Sequence, residues 1–85
     1  MKKTDVTYGQ LDKVLRSLGF SYQLVQGDPP ARRYVHEKTG ALVSIPPFPM
    51  DDFALPQYLV AARTVVDLFG IAEPTVFDAK VRKAG

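Results

Sequence analysis

Three prolines within four positions, Pro46, Pro47 and Pro49, constrain this chain more than any other feature. Proline fixes φ, lacks a backbone N–H and is confined in sheets to edges and bulges. Neither a helix interior nor a central strand can run through such a segment. Residues 46–53 therefore read as an extended connector that divides the 85-residue chain in two. The remaining prolines punctuate the rest. Pro29-Pro30 close an extended run, while Pro56 and Pro74 suit the first turns of helices.

Before the connector, Thr7-Tyr8-Gly9-Gln10 has the form of a capping box, a threonine followed three residues on by glutamine. Leu11, Val14, Leu15 and Leu18 then recur at helical spacing, and Gly19 supplies a left-handed stop. This predicts a helix over roughly 7–18. Phe20 to Val25 begins with the apolar–polar alternation of a half-buried strand. Arg32 to Glu37 reads as a second strand, Lys38-Thr39-Gly40 as a hairpin turn and Ala41 to Ile45 as a third strand. After the connector, Leu55, Leu59, Ala62, Val66 and Phe69 give a helix over roughly 56–69, stopped by Gly70. A short last helix is expected from about Glu73 to Lys83.

The fold class that follows is α+β, a small α-β-β-β-α domain. A three-stranded antiparallel sheet carries two helices on one face, with a short C-terminal helix added. Residues 1–85 are expected to form a single domain. The second sheet face is left to solvent or a partner. The connector's Phe48, Met50 and Phe53 are expected to tuck under their own loop. Tyr8 and Tyr58 fall beside the helical apolar stripes, so core or rim positions are expected for most of the tyrosines, Tyr22 and Tyr34 being the others.

Composition removes several chemistries. Without cysteine there is no disulfide, thiolate zinc site, iron–sulfur cluster or thiol nucleophile. With one histidine, His36, there is no histidine-rich metal site and no two-histidine acid–base pair. Asp51-Asp52 sit near a helix start, where negative charge is favourable for dipole reasons, and make only a very weak magnesium signal. No cofactor and no metal are expected. Lys2-Lys3 are followed by no apolar run, so a cytoplasmic protein that does not engage membranes is expected.

The net charge of +2 hides an uneven distribution. Residues 1–38 carry +3, residues 39–79 carry −4, and Lys80, Arg82 and Lys83 restore +3. A positive surface could therefore form although the whole is close to neutral.

The order of elements, with particular residues, resembles the HicA-type toxins of bacterial toxin–antitoxin pairs over a core of about 7–71, with 72–85 as a C-terminal extension. The anchors are Leu15, Leu18-Gly19-Phe20, Gly27, the hairpin Tyr34 to Gly40, Val43-Ser44-Ile45-Pro46, Leu55-Pro56, Leu59 and Phe69-Gly70-Ile71. The resemblance implies a fold like the double-stranded-RNA-binding domain, mRNA cleavage by one histidine, and a small antitoxin-like protein that covers the active site. The chain departs from that pattern where the chemistry lies. The family carries Gly-Ser-His at the start of its second strand, whereas Gly27 here is followed by Asp28-Pro29-Pro30-Ala31-Arg32-Arg33. Counting back from Pro46 puts Arg32, or Arg33 with a one-residue slip, in the histidine's place. Arginine stays protonated and cannot act as a general base.

Three readings follow. The first is a catalytically degenerate, RNA-associated or regulatory binding protein, with Arg32, Arg33, Lys38, Lys2, Lys3 and Arg16 contacting phosphates. Arg32 and Arg33 are adjacent on a strand, so only one of them can join a given surface. The second is an active ribonuclease in which His36 takes the 2′-hydroxyl proton or protonates the leaving oxygen, with Arg32 holding the phosphate. The third is a protein-interaction module. Whether the chain is an enzyme stays open among these three.

Overall fold

The structure, a computed structural model, describes residues 3–84. Helix α1 spans Tyr8–Ser17 and is closed at its start by the expected capping box. Gln10 N donates to Thr7 Oγ1 at 3.1 Å, and Thr7 N donates to Gln10 Oε1 at 2.8 Å. Three strands follow, β1 Phe20–Val25, β2 Ala31–His36 and β3 Ala41–Ile45, in an antiparallel sheet of order β1-β2-β3. Helices α2, Pro56–Leu68, and α3, Pro74–Lys83, complete the α+β layout, each with proline in its first turn. Among the described residues no helix is long and apolar enough to cross a membrane.

The register separates the two sheet faces. Phe20, His36 and Ala41 form one cross-strand row, Tyr22, Tyr34 and Val43 the next, and Leu24, Arg32 and Ile45 the third. These rows lie on the face that carries the helices, and every buried strand residue belongs to them, although Leu24 at the β1 edge stays about half exposed. The opposite face carries Ser21, Gln23, Val25, Ala31, Arg33, Val35, Leu42 and Ser44, none of them buried. The strand alternation thus decides which face meets the core.

One cluster of buried side chains joins all the elements. It includes Leu11, Val14 and Leu15 of α1, Phe20, Tyr34, Val43 and Ile45 of the sheet, Ala62 and Val66 of α2, and Phe77 and Val81 of α3. Phe77 and Val81 are one helical turn apart, so α3 presents one apolar stripe inward.

The connector is tied down by a set of backbone bonds that leave no side-chain signature. Thr4 N donates to Ala54 O, Ala54 N to Val6 O, Tyr8 N to Asp52 O and Gly9 N to Met50 O at 2.7–3.0 Å. The N-terminal segment thus lies antiparallel along residues 50–54. Gly9 allows the closest approach, since a Cβ there would sit 3.1 Å from the Met50 carbonyl oxygen. Phe48 turns inward and stacks on Tyr8 at 5.1 Å between ring centroids. Met50 and Phe53 stay substantially exposed, because the backbone pairing directs this stretch along the N-terminal segment rather than beneath it.

Gly19, between α1 and β1, has φ +98°, a conformation side chains avoid, and packs against the His36 ring. A Cβ at this position would lie 3.2 Å from His36 Nε2. Gly19→Ala is expected to lower stability by about 2 kcal/mol, read by chemical denaturation, since a left-handed backbone alone costs roughly 1–2 kcal/mol per residue. Adding His36→Ala should restore only the steric part. A neutral Gly19→Ala would mean that the turn is free to rearrange.

A candidate anion site on the inner sheet face

Alternation in β2 turns Arg32 toward the helices, in the row with Leu24 and Ile45. The residue is 92% buried, retaining 8% of its exposure, and is the one charged member of the buried set among the described residues. Its Nε and Nη1 are buried and have no hydrogen-bond partner among the described residues. No carboxylate forms an ion pair with it there. Its guanidinium carbon lies 5.9 Å from the centre of the Tyr22 ring, and that of Arg16 lies 5.2 Å from the same ring. Tyr22 is thus approached by two cations, one from α1 and one from β2.

Asp12 is the nearby acid, and its charge is already engaged. It accepts a hydrogen bond from Tyr34 Oη at 2.6 Å, and Arg16 Nε lies 3.1 Å from each of its oxygens. Burial, then the hydrogen bond to Asp12, push the Tyr34 hydroxyl well above the ordinary tyrosine range, so it stays a donor. Arg16 and Asp12 offset one another, which leaves the Arg32 charge uncompensated. A cation–π contact contributes about 0.5–1 kcal/mol at exposed sites and ~2 when desolvated. Withdrawing a charge from water costs several kcal/mol per ion. By these magnitudes the contact with Tyr22 does not offset the burial of the Arg32 charge.

The other candidate residues lie elsewhere. Arg33 occupies the opposite sheet face, in the row with Gln23 and Ser44. Lys3 pairs with Asp52 at 3.6 Å, where both side chains are about half exposed. Lys38 is exposed in the β2–β3 turn. Lys2 lies outside the described residues. Of the six residues expected to contact phosphate, the fold brings Arg16 and Arg32 together, around Tyr22.

His36 shares the inner face with Arg32 but not its neighbourhood. They stand four positions apart on the strand, about 13 Å between Cα atoms at ~3.3 Å per residue. Its Nδ1 is 2.9 Å from Thr39 Oγ1, and its ring packs on Phe20 with centroids 5.2 Å apart. The contacts of His36 are those of a hairpin-end side chain, with no cation of β2 positioned to share a phosphate with it. Among the described residues no group of three or more histidines, aspartates and glutamates is arranged to hold a metal ion.

Asp12 was the residue that sequence reasoning missed. Its spacing of four from Arg16 was a usable signal for the ion pair. Its bond to Tyr34, 22 residues away, had none. No family model, curated protein or solved structure matches the chain.

Proposed function

We propose that this chain is a non-cleaving RNA-binding domain with a HicA-like layout, in which Arg32 takes a backbone phosphate. The observation that carries the reading is the buried Arg32 guanidinium with two nitrogens unpartnered among the described residues. A phosphodiester supplies oxygen acceptors of the kind this group lacks, provided the side chains covering Nε and Nη1 move aside to admit it, and charge-assisted bonds to arginine are among the strong ones. Tyr22 is partly buried beside it, and Arg16 adds a second positive group across the same ring. The α-β-β-β-α order supports an RNA partner over other polyanions, because double-stranded-RNA-binding domains read backbone and shape rather than base sequence. Cleavage is disfavoured by the distance between His36 and Arg32, which leaves acid–base and phosphate-holding groups apart.

The test is fluorescence anisotropy with short double- and single-stranded RNA, at several salt concentrations, beside a cleavage assay. Binding should weaken steeply with salt, through counterion release. His36→Ala should leave affinity unchanged, and intact RNA should be recovered. Absence of binding at low salt sinks the reading. Cleavage abolished by His36→Ala would restore the ribonuclease, and co-purification of a small protein without RNA affinity would favour a protein partner.

A further inference from the structure

We infer that the groove between α1 and α3, lined by Lys13, Ser17, Lys80 and Lys83, is a second phosphate-binding site. It extends the RNA path across α1, and to that extent it rests on the proposed function. The groove has a volume of about 310 Å³, with Val14 and Ala84 completing its lining. No acidic residue contributes to it. None of its three lysines forms an ion pair among the described residues, whereas Lys3, Arg16 and Arg63 all do.

The fold creates this convergence. Lys13 belongs to the positive N-terminal stretch and Lys80 and Lys83 to the positive tail, with the acidic stretch between them in sequence. Burial of Phe77 and Val81 fixes the rotation of α3. Lys80 and Lys83, three residues apart on the flank of that stripe, are thereby brought beside α1. Lysines from two basic segments far apart in sequence thus meet along one groove.

Complementing the helix dipole does not account for the lysines. The C-terminus of a helix carries the equivalent of roughly −0.5 charge, while the last turn of α3 holds Lys80, Arg82 and Lys83. The positive charge exceeds what the dipole asks for, and two of the three residues, Lys80 and Lys83, border the groove. Lys13 also lies three residues from Arg16 on α1, about 5–6 Å between Cβ atoms. The groove thus lies within one helical turn of Arg16, which shares the Tyr22 ring with Arg32.

Lysine suits such a role, as a flexible point charge that tracks a backbone without fixing base identity. Each phosphate contact contributes about 0.7 to the slope of log affinity against log salt for a single strand and ~0.9 for a duplex. Replacing all three lysines by glutamine should lower the slope by about 2. Arg82→Gln, a change of the same sign in the same helical turn, should alter the slope far less.

The decisive experiment is an NMR titration of the full chain, first with inorganic pyrophosphate and then with a short single-stranded RNA. Backbone signals of Lys13, Val14, Ser17, Lys80, Lys83 and Ala84 should shift together with pyrophosphate and lose that response in the triple glutamine variant. Shifts spread equally over Lys38 and Arg82, or no shift, overturn the site. The pyrophosphate arm is independent of RNA. Pyrophosphate binding without RNA binding refutes the proposed function and keeps the groove, while RNA binding with an unchanged slope in the triple variant does the reverse. If a glutamate-rich peptide shifts these signals and neither phosphate ligand does, the groove is a protein-docking site and the inference is wrong.

Discussion

Phe77→Ala is expected to remove about 3–5 kcal/mol of stability, the usual cost of truncating a buried phenylalanine. Phe77 is fully buried and lies in the same cluster as Leu11, Leu15 and Val66. Natural domains hold about 0.05–0.15 kcal/mol per residue, which for a chain of this length is roughly 4–13 kcal/mol in all. The substitution therefore takes a large share of the total and, at the lower end, leaves the chain mostly unfolded at 25 °C. Urea denaturation followed by circular dichroism measures it. Phe77→Leu is the control, since it keeps most of the apolar volume and should cost far less. A loss below about 1 kcal/mol for Phe77→Ala would mean that α3 is not part of the cooperative core. The result also bears on the lysine groove, because the same buried stripe sets where Lys80 and Lys83 stand.

Much of this architecture was legible in local pattern. The capping box at Thr7, the glycine stops and the apolar spacing fixed α1 and α2 within a residue or two of their observed ends. The hairpin around Gly40, φ +78°, followed from a glycine turn between two β-rich runs. Alternation also assigned Arg32 and Arg33 to opposite faces. What local pattern did not carry was the environment on the inner face. A strand residue reads as inward or outward, but whether an inward arginine meets a carboxylate depends on which helix residue packs over it. Here Asp12 is taken by Tyr34 and Arg16, a three-way arrangement built across α1 and β2. The pairing of the N-terminal segment with residues 50–54 was hidden for a different reason: backbone N–H and C=O groups are common to nearly every residue and mark no position. The juxtaposition of Lys13 with Lys80 and Lys83 required knowing how α3 packs, although the Phe77–Val81 spacing already indicated its buried face.

Arg32→Met is expected to stabilise the free protein by at least about 1 kcal/mol, since replacing even a paired buried charge by well-packed apolar side chains is often stabilising by about 1–4 kcal/mol and Arg32 has no ion-pair partner among the described residues. In a domain of this size each kcal/mol moves Tm by roughly 4–8 °C, so thermal unfolding resolves even the lower bound. Methionine matches the length of the arginine stem and adapts to irregular space, so the Tyr22 and Ile45 contacts need not be lost. The same change should weaken RNA binding. A hydrogen bond to a charged group contributes about 1.5–3 kcal/mol, and at 1.4 kcal/mol per factor of ten that is a loss of roughly 10- to 150-fold in affinity. Arg32→Lys separates charge from geometry. It keeps the buried cation and loses the planar array of donors, so it should weaken binding without the gain in stability. The opposed signs are the signature of a group retained for a ligand at a cost to the fold. Lower stability in Arg32→Met would instead show that the guanidinium contributes to the folded state, and with it the case for Arg32 as a phosphate site would fail.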